Sequence, residues 1–206
     1  MRTYQLKISL LDVKPTIWVR LQVSAEASFV DLHKAIMTFS NWVGYHMHDF
    51  KFAKSNVEIR SPDEDDIDPT GFWQHMAEQG HTEYAEMLKN YVKPAVKKPT
   101  TKLLECFDIE GECIYMYDYG DGWECKIKLE KTVESDAAVI ILTDFSGKWP
   151  PEDCGGAGGY MDLLETLKDP KSEDYQDMTD WISDMKYEDI NISEVNKKLA
   201  KVFKKR

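Results

Sequence analysis

Apolar and polar residues alternate at the beginning of the chain, and this pattern predicts two β-strands. Every second residue is apolar within residues 4–10, and residues 17–23 repeat the alternation. The intervening residues 12–15, which end in Pro15, are typical of a turn. We therefore expect an antiparallel hairpin with one buried face.

The apolar spacing becomes helical after Ser28. Apolar residues recur three or four positions apart at Phe29, Leu32, Ile36 and Phe39. The Ser28 hydroxyl is placed to accept a hydrogen bond from the amide of Asp31, as an N-cap does. The pattern predicts a helix over residues 29–40 that packs one stripe onto the sheet, with His33 outside that stripe.

Alternation returns over residues 45–52. It places His46 and His48 on the same strand face as Phe50 and Phe52. Two imidazoles are therefore expected side by side on one face of a third strand.

Residues 102–130 also have strand character. Gly111 and the Gly120-Asp121-Gly122 segment mark two turns, which predicts a three-stranded meander. In that arrangement Cys106 lies opposite Cys113 on the neighbouring strand. A short buried strand is expected over residues 139–142.

Helices dominate the last third of the chain. They are a helix with the stripe Tyr160, Leu163, Leu164 and Leu167, and helices capped by Ser172 and Ser193. A separate short helix, capped by Thr82 and with a buried stripe of Tyr84, Leu88 and Tyr91, is expected before the meander. Strands followed by helices indicate an α+β fold. We expect a single domain over residues 1–206, in which helices cover one face of a mainly antiparallel sheet and form a helical C-terminal segment.

Charge is unevenly distributed. The chain has 26 basic and 37 acidic residues and a net charge of −11, which argues against a broad nucleic-acid-binding surface. Residues 61–69 are acidic and typical of a solvated loop. Residues 89–102 carry five lysines, two prolines and no acid, and residues 197–206 carry six basic residues and no acid. An exposed Lys/Pro-rich connector and a basic tail are therefore expected.

The composition also indicates the compartment. No apolar stretch is long enough to span a bilayer, so no membrane partner is expected. The four cysteines contain no C-x-x-C pair, which favours reduced thiols and a cytoplasmic location.

Three groups of residues carry a resemblance to a known family. They are Pro15–Leu21 with Leu32-His33 and Trp42–Phe50, then Tyr115–Glu124, and then Pro150–Tyr160. In this order they resemble the plasmid pRiA4b ORF-3-like family over nearly the whole chain. The resemblance implies a compact α+β domain found mostly in prokaryotes, sometimes beside mobile elements, without an established biochemical activity.

The chain departs from the family pattern at two places. Val19 stands where relatives usually have a second arginine, and Lys148-Trp149 stands where they often have a cysteine. Only Cys154 remains near the third motif. Because structural zinc sites use four ligands, this departure argues against a cysteine-based metal site here.

The motif residues define a candidate cleft, since each motif combines turn glycines or aromatics with acids. Its members are Trp18, Arg20, His33, Trp42, His46, His48, Tyr117, Asp118, Asp121, Trp123, Glu152, Asp153, Cys154 and Tyr160. His46 and His48 are metal-ligand candidates, with Asp118, Asp121, Glu152 or Asp153 completing a nitrogen and oxygen shell. The alternative is that each imidazole hydrogen-bonds a carboxylate and fixes loops.

Other motif residues also allow two interpretations. Asp118 and Asp121 are suited to acid–base catalysis or to a tight turn. Cys154 is a candidate nucleophile or a small buried hydrophobe, and Arg20 is a candidate partner of a motif acid. The glycine-rich residues 150–159 lack the lysine and hydroxyl of a phosphate-binding loop.

Three functions remain open. The first is a non-catalytic binding or accessory module of a prokaryotic cell, without a cofactor and with an unidentified macromolecular partner. The alternative is a metal-dependent hydrolase that uses a divalent transition metal such as zinc at His46 and His48 with the motif carboxylates. The second alternative is a nucleic-acid-binding accessory protein, which the net charge disfavours.

Overall fold

The computed structural model describes residues 1–61, 69–134, 140–185 and 187–204. Within these ranges the strands are β1 (Arg2–Leu10), β2 (Trp18–Ser24), β3 (His48–Phe52), β4 (Val57–Ile59), β5 (Ala95–Lys97), β6 (Glu112–Tyr117), β7 (Trp123–Glu134) and β8 (Ile141–Ser146). The helices are α1 (Phe29–Ser40), α2 (Thr70–Glu78), α3 (Thr82–Asn90), α4 (Leu104–Glu110), α5 (Gly156–Thr166), α6 (Tyr175–Asp184) and α7 (Ile192–Val202).

The eight strands form one sheet in the order β5-β4-β3-β6-β7-β1-β2-β8. Every neighbouring pair is antiparallel except β4 and β5, which are parallel. The predicted α+β class and the β1–β2 hairpin are confirmed. The alternation in β1 buries Tyr4, Leu6 and Ile8 completely on the face that forms the core.

Helix α1 covers this core face as its spacing predicts. Phe29, Leu32 and Ile36 are fully buried, and Ser28 forms a capping box with Asp31. The α1 helix therefore begins and ends where the sequence indicates.

The prediction of a first meander strand before Gly111 is wrong, because residues 104–110 form helix α4. Leu103, Cys106 and Phe107 are buried at helical spacing, and Gly111 ends the helix in the left-handed conformation at φ 74°. Cys106 therefore does not lie across a strand pair from Cys113. All four cysteines are free.

Several predicted helix boundaries and features also need correction. The N-cap of α3 is His81, that of α6 is Asp174, and that of α7 is Asn191, whose side chain accepts from the amide of Glu194. The expected caps Thr82 and Ser193 lie inside their helices, and Ser172 precedes its helix by three residues. The stripe of α3 is half-buried rather than buried, since α3 packs mainly against α2.

The charged segments are placed only in part. The Lys/Pro-rich connector is mostly exposed, but it includes strand β5. The basic tail belongs to α7 as far as Val202. Residues 62–68 of the acidic loop, Val139 of the expected short strand and the last two residues of the tail lie outside the described ranges.

Trp18 and Arg20 lie on the sheet face opposite the core. Arg20 donates to Glu130 at 2.8 Å and to Asp144 at 2.7 Å, and its guanidinium lies 4.4 Å from the Trp18 ring centroid. A register shift in the β1–β7 pair leaves Glu130 as an extra residue, which is a β-bulge. Arg20 is therefore not the partner of a motif acid, and neither residue belongs to the cleft.

No helix in the described part of the chain is long and apolar enough to cross a membrane.

Candidate functional site

One histidine and two aspartates meet at one end of the sheet. The Nε2 atom of His46 lies 3.5 Å from Oδ2 of Asp118 and 3.5 Å from Oδ1 of Asp153. The ligand atoms of all three residues lie within 4.8 Å of one another. Among the described residues, this buried Nε2 atom has no hydrogen-bond partner.

Backbone geometry aims both carboxylates at His46. Asp118 follows β6 with φ 57°, and Asp153 precedes α5 with φ 59°. Aspartate tolerates this left-handed region better than most residues, although it is sparsely populated. The amide of Gly120 donates to Oδ1 of Asp118 at 3.0 Å, which leaves Oδ2 for His46.

A buried carboxylate holds the loop that carries His46. Glu152 accepts from the Tyr117 hydroxyl at 2.5 Å and from the Val43 amide at 2.7 Å. The Gly44 amide donates to the same Tyr117 hydroxyl at 3.0 Å. Burial, followed by the bond to Glu152, raises the pKa of Tyr117 well above its usual value, so this hydroxyl stays protonated.

Aromatic rings form the inner wall of the site. Trp42 stacks on Tyr117 at 5.0 Å between ring centroids and lies 5.5 Å from Trp123. The Trp42 indole donates to the carbonyl of Pro150 at 3.1 Å. These contacts join the first and second motifs to the third, and they assign Trp42 and Trp123 to packing.

Asp121 joins the glycine-rich loop rather than His46. Its Oδ2 accepts from the Gly155 amide at 3.2 Å. A Cβ on Gly156 would lie 2.0 Å from the Asp121 carbonyl oxygen, and one on Gly159 would lie 1.9 Å from the Cys154 carbonyl oxygen. These glycines are therefore needed for close backbone approach.

The His48 ring lies outside the group of His46, Asp118 and Asp153 and stacks on His33 instead. The two rings stack in parallel at 3.6 Å between centroids, and Nδ1 of His33 lies 2.9 Å from the Tyr115 hydroxyl. Burial lowers the pKa of His48, and burial together with His48 lowers the pKa of His33 to about 3. The expectation that His46 and His48 share one ligand is wrong for the described residues, and His33 lies half-buried beside the α1 stripe.

Cys154 and Tyr160 lie beside the site without joining it. Burial raises the pKa of the Cys154 thiol to about 12, so it is a poor nucleophile at neutral pH. The Tyr160 hydroxyl lies 2.6 Å from that of Tyr187 and donates to the Lys148 carbonyl at 3.0 Å. Tyr160 therefore anchors α5.

One contact residue was missed by the sequence reasoning. The Tyr45 hydroxyl donates to Oδ2 of Asp153 at 3.4 Å, and its ring lies 4.2 Å from that of His46. The alternation over residues 45–52 predicts Tyr45 on the strand face opposite His46. Strand β3 begins only at His48, so that alternation does not apply to Tyr45.

The three converging groups fit a small transition-metal ion. Imidazole and carboxylate bind zinc at about 2.0–2.2 Å, so neighbouring ligand atoms of a tetrahedral ion lie about 3.3–3.5 Å apart. The two distances of 3.5 Å from His46 are close to that spacing. The Nε2 atom of His46, which has no hydrogen-bond partner among the described residues, would be the nitrogen ligand, and Asp153, whose side chain is 53% exposed, opens the site to solvent.

Comparisons with known proteins agree with the motif resemblance. A model of the plasmid pRiA4b ORF-3-like protein family matches residues 2–197. Uncharacterized protein y4hQ from Sinorhizobium fredii is 27% identical over 196 residues, covering 94% of this chain and 88% of that protein. The crystal structure of MM3350, a protein of unknown function from Methanosarcina mazei Go1, is 31% identical with a TM-score of 0.71, covering 94% of this chain and 97% of MM3350. The chain therefore belongs to the plasmid pRiA4b ORF-3-like family.

Proposed function

We propose that this protein is a binding module that takes up one divalent transition-metal ion, with zinc as the best fit, at His46, Asp118 and Asp153. The observation that carries the proposal is the buried Nε2 atom of His46, which faces two carboxylate oxygens at 3.5 Å without a hydrogen bond. A mixed nitrogen and oxygen set suits zinc, whereas magnesium and calcium prefer oxygen ligands alone.

A simple ion pair explains the geometry less well. A charge-assisted bond between imidazolium and carboxylate contracts to about 2.7–2.9 Å. Both distances in the site are longer than this by more than half an ångström. The spacing instead leaves room for a bridging ion between the three side chains.

The supporting network adds to the proposal. Glu152 and Tyr117 fix the backbone of residues 43 and 44, and Asp118 accepts from Gly120. Such outer contacts orient metal ligands before the ion arrives. The His46 side chain is only 24% exposed, which limits its freedom to rotate away.

Metal titration tests the proposal. Protein freed of metal by chelation is titrated with zinc against a chromophoric competitor, and the bound metal is counted by mass spectrometry. We expect one ion per chain, and His46→Ala is expected to weaken binding by about 100-fold or more, because loss of one of three ligands leaves two. His75→Ala is the matched control, since His75 lies exposed on α2.

The outcomes are distinct. Equal zinc affinity in His46→Ala and the wild type would refute the site. Binding lost equally in both histidine variants would indicate a general loss of folding, which circular dichroism detects.

A metal-dependent hydrolase is the second candidate for the same three groups. Three protein ligands leave the fourth position of a tetrahedral ion for water, as catalytic zinc sites do. Hydrolysis of activated carboxylic and phosphoric esters by the zinc-loaded protein, absent in His46→Ala, would support it. Zinc binding without any such turnover would favour the non-catalytic module.

A further inference from the structure

Apolar side chains are exposed on the loop that carries His46. Residues 42–47 form an irregular segment before β3, in which Gly44 adopts a left-handed conformation at φ 83° and the chain bends at His46. Trp42 and His46 point inward, whereas Val43, Tyr45 and Met47 are 74%, 65% and 52% exposed. We call these last three residues the apolar stripe.

A groove between α5 and α6 adjoins the apolar stripe. It encloses about 430 Å³, a size typical of binding sites, and its half-buried or buried apolar residues are Leu163, Met178 and Trp181. Asp153 lines this groove and also accepts from the Tyr45 hydroxyl. The stripe and the α5–α6 groove are therefore parts of one continuous surface.

The exposed residues of the groove are acidic. Asp153, Asp162 and Asp174 are exposed and form its rim. Within the described ranges, no lysine or arginine forms an ion pair with Asp162 or Asp174. An apolar floor beneath exposed carboxylates complements a ligand that is both apolar and positively charged.

We propose that the apolar stripe and the α5–α6 groove together dock a basic amphipathic segment of another protein. The segment's apolar side chains cover Val43 and enter the groove against Met178 and Trp181, while its lysines or arginines meet the acidic rim. Methionine adapts to varied apolar shapes, and tryptophan attracts cations to its ring face. This inference stands without the metal ion.

Charge distinguishes this partner from others. Nucleic acid is repelled by the acidic rim and by a net charge of −11. A second copy of this chain would bring the same carboxylates against one another if the two surfaces met face to face, at an energetic cost.

Fluorescence anisotropy with defined peptides tests the docking surface. The probe is a labelled helical peptide of about four turns built from leucine and lysine, and its matched control carries glutamate in place of every lysine. Chelator is present throughout, so a negative result here is separate from failure of the zinc titration. We expect the wild type to bind the lysine peptide and not the glutamate peptide.

Two sets of variants locate the binding. The double change Asp162→Asn with Asp174→Asn is expected to weaken binding of the lysine peptide about fivefold. The matched control, Glu83→Gln with Glu86→Gln, removes two exposed carboxylates from α3 and should leave affinity unchanged. Val43→Ser tests the apolar stripe. This variant is expected to bind the lysine peptide more weakly than the wild type, and the difference should remain at high salt, where charge interactions are screened and apolar contacts persist.

Three results would overturn the proposal. The first is equal binding of both peptides, and the second is equal weakening by the α3 control and the groove variant. The third is a wild-type dimer in sedimentation that Val43→Ser converts to a monomer, because the stripe would then be an interface between copies of this chain.

Discussion

Replacing Glu152 with glutamine is expected to destabilise the protein and to loosen the loop that carries His46. The carboxylate is 5% exposed and accepts one bond from the Tyr117 hydroxyl and one from the Val43 amide. Glutamine keeps the size of the side chain but replaces one acceptor oxygen with an NH₂ donor. One of the two donors then faces another donor inside the protein.

The magnitude follows from the bonds lost. A hydrogen bond to a charged group contributes about 1.5–3 kcal/mol, and a buried donor without an acceptor costs about 1–3 kcal/mol. We therefore expect Glu152→Gln to lower the free energy of unfolding by about 2–4 kcal/mol. Tyr117→Phe should cost a similar amount, because it leaves the Gly44 amide and Glu152 without the hydroxyl.

Urea denaturation of both single variants and the double variant measures this network. Because the two residues share one bond, the double variant should lose at least about 1 kcal/mol less than the sum of the single losses. Glu165→Gln is the control, since Glu165 forms only an exposed pair with Lys168 and should change stability by less than about 0.5 kcal/mol. Additive losses, or a loss below about 0.5 kcal/mol in Glu152→Gln, would refute the reasoning.

Three further predictions use the same denaturation assay. Gly156→Ala should lower the free energy of unfolding by about 3 kcal/mol or more, because φ is 69° and the new Cβ would lie 2.0 Å from the Asp121 carbonyl oxygen. Gly158→Ala in the same helix is the control, since a Cβ there has open space and should not destabilise the protein. Equal effects of the two substitutions would contradict this prediction. Asn196→Ala should lower the free energy of unfolding by about 2 kcal/mol, since the side-chain amide of Asn196 forms hydrogen bonds with both the N–H and the carbonyl of Leu142 on edge strand β8. An unchanged urea midpoint would show that these two bonds do not stabilise the strand. Burial lowers the pKa of His33 to about 3, below its value near 6.5 in the unfolded chain. The stabilisation that comes from burying neutral His33 is therefore complete above about pH 6.5 and is lost as the pH falls toward 3. Between pH 7 and pH 5 the wild type should therefore lose about 2 kcal/mol more than His33→Asn, and parallel pH profiles would contradict the assignment.

Strict periodicity made parts of this fold predictable. Strands β1 and β2 are predictable because burial of one strand face requires an apolar residue at every second position. Helix α1 is predictable because burial of one helix face requires apolar residues three or four positions apart, and Ser28 marks its beginning. Residues 103–110 contain five apolar residues and three acids, and this segment is too short for its spacing to separate a helix from a strand, so the strand prediction for α4 is wrong. Strands β4 and β5 are three residues long and carry too few buried positions to form a pattern.

The candidate site was predictable as a set of motifs but not residue by residue. Alternation placed His46 and His48 together because it was extended backward past the start of β3. In the structure Asn41 and Gly44 adopt left-handed conformations at φ 62° and 83°, and His46, which follows them before β3 begins, faces Asp118. Positive φ at a non-glycine residue follows from tertiary packing and leaves no periodic signal in the sequence.

The geometry around His46 is already organised by the protein chain itself. Asp118 and Asp153 both hold left-handed backbone conformations, which cost of order 1 kcal/mol each and persist only where surrounding contacts impose them. Those contacts are the Gly120 amide on Asp118 and the Tyr45 hydroxyl on Asp153. Two carboxylates held close together repel each other, and a cation between them would remove that repulsion. In the proposed zinc site this arrangement would favour binding, because the ion would require no further ordering of its ligands.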